Sequence, residues 1–158
     1  MKRYLSRVSI SIMTIGLLVF CALTALAIER PFRLVEHGKV SVTSRDATGN
    51  IRDLVADGIG TATHLGLFTL HRDAVLTSTA GGPVFDVRGE ATLTSANGEQ
   101  LRATFTGTVD FAVGHADLIY EWTGGSKGRF EDATGATTWS VDVSNGEYDA
   151  VADGSIKY

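Results

Sequence analysis

The chain has 158 residues, 18 of them glycine and only two proline, with a formal net charge of −4. This length fits a single domain, and the acidic balance excludes the basic face a nucleic-acid binder needs to displace counterions from phosphates. A single cysteine, Cys21, excludes a disulfide framework.

The first 27 residues stand apart. Lys2, Arg3 and Arg7 form a basic start, an apolar run extends from about Val8 to Phe20, and Ala25-Leu26-Ala27 precedes the polar Glu29 and Arg30. This is the order of a secretory signal peptide with cleavage after Ala27. The competing reading is an anchor helix, since the apolar run approaches the roughly 20 residues that span a bilayer. An anchor has no use for the small-x-small step. Lipidation of Cys21 is disfavoured by Phe20, which stands where a small residue is wanted. Signal peptide 1–27 followed by one domain, 28–158, is therefore expected, exported to the periplasm or the extracellular space. The exported part would carry no thiol and would be more acidic still, so adhesion to a membrane after cleavage is not expected.

Beyond residue 28 no stretch shows apolar residues at helical spacing, and alternation with a period of two recurs. The segments read as strands are 33–45, 52–64, 66–71, 74–79, 84–95, 99–111, 116–123, 136–143 and 147–157. They number nine, or eight if 52–71 is one bent strand. The clearest is 101–111, where Leu101, Ala103, Phe105, Gly107, Val109 and Phe111 share one face and Arg102, Thr104, Thr106, Thr108 and Asp110 the other. Turn signals fall at Ala47-Thr48-Gly49-Asn50, Gly81-Gly82-Pro83, Asn97-Gly98, Gly124-Gly125 and Asn145-Gly146. Asn97-Gly98 predicts a hairpin in which both residues take positive φ. Consecutive strands with short loops predict an antiparallel meander, and closure into an all-β barrel removes the two exposed edges. An eight-stranded barrel is either filled by side chains or holds one small ligand.

Four stretches carry a resemblance. Gly60-Thr61-Ala62-Thr63-His64-Leu65-Gly66-Leu67-Phe68-Thr69 resembles a motif of uncharacterised exported bacterial proteins. Ala96-Asn97-Gly98-Glu99-Gln100-Leu101 with Ala103–Gly107 is similar to their hairpin, and Gly154-Ser155-Ile156 with Tyr158 to their ending. Gly124-Gly125-Ser126-Lys127-Gly128-Arg129-Phe130, then Ala133-Thr134-Gly135, resembles a segment shared with dirigent proteins and allene oxide cyclase barrels. The resemblance spans about 57–158 and implies an eight-stranded antiparallel barrel, with trimers common among dirigent-like members. Plant members close around reactive hydrophobic substrates and steer their coupling or cyclisation. Here Ser126-Lys127 stand where the family has one residue, so a longer turn or a bulge is expected.

Each candidate site has a plainer reading beside it. Gly124-Gly125…Gly128 could cradle a phosphate, but no helix pattern follows to supply free N–H groups, so a glycine-rich turn at the rim is expected. His64, read on a strand face with Gly66, Phe68 and Leu70, could act as acid, base or metal ligand; a hydrogen-bonded histidine locking a strand bend is the plainer expectation. His71 falls on the opposite face, and His37 and His115 are placed near turns. No ligand pair has metal-site spacing, so no metal is expected. Glu121 would be a usable acid inside an apolar lumen; Leu118, Tyr120 and Trp122 make the better interior, which puts Glu121 outside. Arg102 and Asp110 are expected in water, and Arg129 in a latch with Glu131 or Asp132. Residues 142–147 lack the pattern of a calcium loop, and no catalytic triad spacing or dinucleotide fingerprint is present, so no cofactor is expected. The expected ligand contacts are Phe68, Phe105, Tyr120 and Trp122. Three functions follow: binding of a small apolar molecule without catalysis, a structural or assembly role for a filled barrel, and a cofactor-independent cyclase or isomerase with His64 or Glu121 as its acid or base.

Overall fold

The computed structural model describes residues 28–78 and 82–158, with 124–126 described by backbone alone. The segment read as a signal peptide lies outside the described residues, and the Gly81-Gly82-Pro83 turn lies partly outside them. Eight strands follow in chain order: β1 (Glu29–Arg45), β2 (Ile51–Ala62), β3 (Gly66–Ser78), β4 (Val84–Ser95), β5 (Gln100–Asp110), β6 (His115–Lys127), β7 (Ala136–Ser144) and β8 (Glu147–Lys157). Each pairs antiparallel with the next, and β8 returns to β1, so the meander is a closed barrel.

Alternation decides what fills it. The inward residues of β1 are Phe32, Leu34, Glu36, Gly38 and Val40; those of β3 are Phe68, Leu70, Arg72, Ala74 and Leu76. On β5, Leu101, Ala103, Phe105 and Val109 are buried while Arg102, Thr104, Thr106 and Thr108 are exposed, as the pattern predicts. Asp110 is half-buried, and Phe111 is exposed beyond the strand end.

The reading of 52–64 and 66–71 as separate strands holds, because His64 (φ +69°) and Gly66 (φ +72°) turn the chain sharply between β2 and β3. Two other assignments need correction. Segments 66–71 and 74–79 are one strand, since Arg72 continues the inward face of β3 rather than breaking it. Gly124-Gly125 is not a turn: β6 runs on to Lys127, and the chain turns at Gly128 (φ +76°), which opens a single 3₁₀ turn, Gly128–Phe130. The extra residue is absorbed as a bulge, with Gln100–Arg102 facing the longer span Thr123–Lys127.

The two Asn-Gly hairpins differ. Asn145 (φ +54°) and Gly146 (φ +80°) form the tight β7–β8 turn with both residues left-handed. At Asn97-Gly98 only Gly98 is left-handed (φ +86°), contrary to the expectation for that pair. There the Asn97 carboxamide accepts the Glu99 N–H at 3.0 Å while the Gly98 N–H reaches the Ser95 carbonyl at 2.9 Å, stabilising a longer loop.

The barrel has unlike ends. One end gathers the β2–β3, β4–β5 and β6–β7 connections and is plugged by Phe32, Leu65, Trp122, Phe130 and Ile156, all buried. The other carries the β1–β2, β3–β4, β5–β6 and β7–β8 connections. Between them, Gly38 and Gly58 pair across β1 and β2 and make room for the Tyr148 ring. A Cβ on Gly38 would lie 2.7 Å from ring carbon Cε1, and one on Gly58 would strike the hydroxyl. Gly58→Ala is expected to destabilise the fold by about 1–3 kcal/mol through overpacking. In a Tyr148→Phe background the same substitution should cost about half as much or less, read from paired urea-unfolding curves.

Candidate functional site in the barrel interior

Two charged residues stand at the middle of otherwise apolar inward faces. Glu36 on β1 is 1% exposed and Arg72 on β3 is 4% exposed. They reach each other across the small inward residues of β2, where Ala56 lies opposite Arg72 and Gly60 opposite Glu36. The Arg72 Nη2 donates to Glu36 Oε1. Around the guanidinium, Cζ lies 4.8 Å from the Trp139 ring centroid, 5.1 Å from Tyr148 and 5.6 Å from Tyr120, a cation held among aromatic faces. Tyr120 stacks on Trp139 at 4.2 Å and on Phe105 at 4.9 Å, so three rings form one column. Trp139 Nε1 donates to Thr137 Oγ1 at 2.8 Å.

Removing two charges from water is costly, and this pair leaves polar atoms over. Glu36 Oε2, Arg72 Nε and the hydroxyls of Tyr120 and Tyr148 are buried and make no hydrogen bond of ordinary length and angle, although Tyr148 stands near enough to Glu36, and Tyr120 to Arg72, to interact weakly. Burial raises the Glu36 carboxyl above its ordinary range, with Arg72 pulling against it. Desolvation acts against the Arg72 charge but is outweighed by the surrounding negative potential, including that of Glu36, so the guanidinium stays protonated. Burial also raises both tyrosines, which keeps their hydroxyls protonated and available as donors.

Toward the unplugged end the interior opens into a throat. A cavity of about 80 Å³ is walled by Val40, Leu54, Val87, Val109, Leu118 and Val143, and Arg72 and Tyr148 also line it. Phe111, 40% exposed and edge-on to Phe85 at 5.3 Å, stands at its rim. A larger concavity of about 640 Å³ is an open trough outside β2–β5, beside Asp53, Asp73, Arg88 and Glu90. Among the described residues none of the buried unpartnered polar atoms borders it, so the throat is the better candidate.

Of the residues singled out from sequence, Phe68, Phe105, Tyr120 and Trp122 are all buried. Only Phe105 borders the throat. Tyr120 belongs to the aromatic column, and Trp122 packs edge-on against Phe32 at 5.1 Å in the plugged half. Glu121 is exposed, as expected from the better interior that Leu118, Tyr120 and Trp122 make.

His64 is not on a strand face. It sits in the β2–β3 turn, its Nε2 3.1 Å from the Pro31 carbonyl oxygen, and its own carbonyl accepts from Arg129. Arg129 pairs with Glu99 at 3.1 Å rather than with Glu131 or Asp132, because the turn at Gly128 aims it toward the β4–β5 hairpin. Phe130 packs edge-on to Tyr158 at 4.9 Å, and Arg30 lies over that same ring at 4.8 Å. All four stretches that carried the resemblance thus send residues to the plugged end, while Ala103–Gly107 runs on along β5 to place Phe105 at the throat.

The other histidines lie outside the lumen. His71 faces Asp57 across β2–β3 at 2.7 Å, with Asp73 at 3.5 Å. His115 faces Asp142 across β6–β7 at 2.7 Å, with Asp117 at 3.4 Å. His37 lies in mid-β1 opposite Ile59 and Asp149, not near a turn. Among the described residues no group of three or more histidine, cysteine or acidic side chains is placed to hold a metal ion.

Glu36 and Arg72 were the residues sequence reasoning passed over. Their signal was present: Phe32-x-Leu34-x-Glu36-x-Gly38-x-Val40 and Phe68-x-Leu70-x-Arg72-x-Ala74-x-Leu76 each place one charge in an apolar alternation. No family model matches this chain, and no curated protein is significantly similar to it.

Arg72→Met should cost about 3–5 kcal/mol near neutral pH by stranding a buried carboxylate. A buried carboxyl with a raised value binds more protons folded than unfolded. The loss should therefore shrink as pH falls toward the ordinary glutamate range and grow as it rises through the raised value. Urea unfolding across pH checks this, and adding Glu36→Gln should recover much of the loss near neutrality. His71 and His115 are raised chiefly by hydrogen bonds to Asp57 and Asp142 respectively. Their NMR titration midpoints should lie above the ordinary 6.5, and Asp57→Asn with Asp142→Asn should lower them. The stability these pairs add is present in full below the ordinary histidine value and is lost as pH rises through the raised one. The gap between wild type and the double variant should close accordingly as pH rises through the raised values.

Proposed function

We propose that this chain is an exported barrel that binds a small apolar molecule, without catalysis, by seating one end of it in the throat. The asymmetry of the barrel carries the reading: one end is plugged by large side chains, while the other leaves an apolar space above unpartnered polar groups. A barrel serving only as a solid support gains little from such an interior, since well-packed apolar residues often replace a buried ion pair without loss of stability. Strain against local rules of this kind marks functional sites. The throat is below the roughly 300–1,000 Å³ of drug-sized pockets. The ligand is therefore small, or encloses only its terminal part and lies with the rest against an apolar rim. Phe111 contributes to that rim, and Val42 and Val113 extend the exposed apolar surface at this end (42% and 73% exposed).

The kinship proposed is with the dirigent and allene oxide cyclase barrels and their exported bacterial relatives. Its support is that the motif stretches form one interlocked plug on an eight-stranded closed barrel. In a cyclase reading the lumen acid would be Glu36, since His64 and Glu121 lie outside the lumen. A role in assembly draws support from exposed Val35 and Val151, which pair directly, and from Leu67, aligned with them through Thr61.

Native mass spectrometry of the protein from its own host, with mass analysis of an organic extract, tests the reading. A bound small molecule is expected on wild type and should be lost from Ala116→Met, since Ala116 lines the throat and the longer side chain fills it. An empty extract, with a multi-chain assembly as the sole species, would favour the assembly role instead.

A further inference from the structure

Resting on the throat-binding reading, we infer that the ligand's inner end carries an uncharged hydroxyl or carbonyl group rather than a carboxylate or an amine. The inference comes from the composition of the floor. Arg72 and Tyr148 border the cavity, and both have buried polar atoms without a partner, as does Glu36 beside them. The leftover set at the floor contains donors (Arg72 Nε–H and the Tyr148 hydroxyl) and, behind them, an acceptor (Glu36 Oε2), none of them in a hydrogen bond of ordinary geometry. The one positive and one negative charge already cancel within the Glu36–Arg72 pair.

A ligand carboxylate would compete with Glu36 for the same guanidinium and leave a surplus negative charge in an apolar interior. An ammonium group would compete with Arg72 for the same carboxylate and leave a surplus positive one. Either surplus is costly where water is excluded. An alkane brings no charge but leaves the orphaned donors unmet. A hydroxyl can donate and accept at once, and a carbonyl can accept from Tyr148 or Arg72, so these groups complete the floor without adding charge. The walls select the rest of the molecule. Apart from Arg72 and Tyr148 the cavity is bounded by apolar side chains, and 80 Å³ leaves room for only a few groups of methylene size.

The test uses five probes of one chain length: pentane, pentan-1-ol, pentanal, pentanoate and pentylamine. Each is titrated into the full exported protein labelled with ¹⁵N, following the Arg72 Nε–H resonance and the throat valine signals. Pentan-1-ol and pentanal are expected to bind at least fivefold more tightly than pentane and to shift the Arg72 signal. Pentanoate and pentylamine are expected to bind more weakly than pentane. Tyr148→Phe should remove roughly a fivefold share of the alcohol's advantage, as one neutral hydrogen bond would, and leave pentane unchanged.

If all five probes bind with similar affinity, or pentanoate or pentylamine binds best, the head-group inference is overturned while throat binding stands. If none perturbs the throat valines, the throat-binding reading itself falls. Should Tyr148→Phe fail to fold, the ranking of the five probes on wild type decides alone.

Discussion

Closure is the constraint on which everything else rests. The ladder pairing Glu29 through Lys39 with Lys157 through Glu147 turns an open meander into a barrel. Once β8 meets β1, every inward residue of eight strands shares one interior, and its volume must be filled from a fixed set of side chains. Large inward aromatics stand on β5, β6 and β7, while the inward positions of β2 and β8 hold the small residues Ala56, Gly58, Gly60, Ala150 and Ala152. Closure also removes the strand edges that a sheet of this size would otherwise expose.

That interior is divided along the barrel axis. The plugged end is a mechanical assembly: the His64 turn, the Glu99 hairpin, Arg129, Phe130 and Tyr158 hold four separated stretches together through hydrogen bonds, one ion pair and ring contacts. The middle holds the Glu36–Arg72 pair against the aromatic column. The opposite end is apolar and only partly filled. Motif and chemistry are thus separated in this molecule. The residues most conspicuous in the sequence close the barrel, and the less conspicuous ones give its interior a polar floor.

The outer surface follows simpler rules. Histidines and aspartates meet as directly opposed cross-strand pairs, His71 with Asp57 and His115 with Asp142, and each pair depends on pH because a carboxylate favours the imidazolium. These pairs are solvated and tune stability without touching the interior. The buried pair behaves differently because it has no water to fall back on, so its unmet atoms weigh far more than any surface contact.

Alternation made the all-β class, most strand positions, the inward placement of Phe68, Phe105, Tyr120 and Trp122, and the outward placement of Glu121 legible in the linear chain. Side chains at spacing two must share a face, and one face of a closed sheet must be dry. The same logic would have exposed Glu36 and Arg72, but the strand bounds 66–71 and 74–79 left Arg72 in a gap between strands. Only the folded barrel shows that Arg72 points inward to a partner 36 residues earlier. The turn at His64, the course of β6 past Gly124-Gly125 and the partner of Arg129 were likewise decided by tertiary structure. Each depends on which distant backbone group is within reach, and distance through space is not encoded by spacing along the chain.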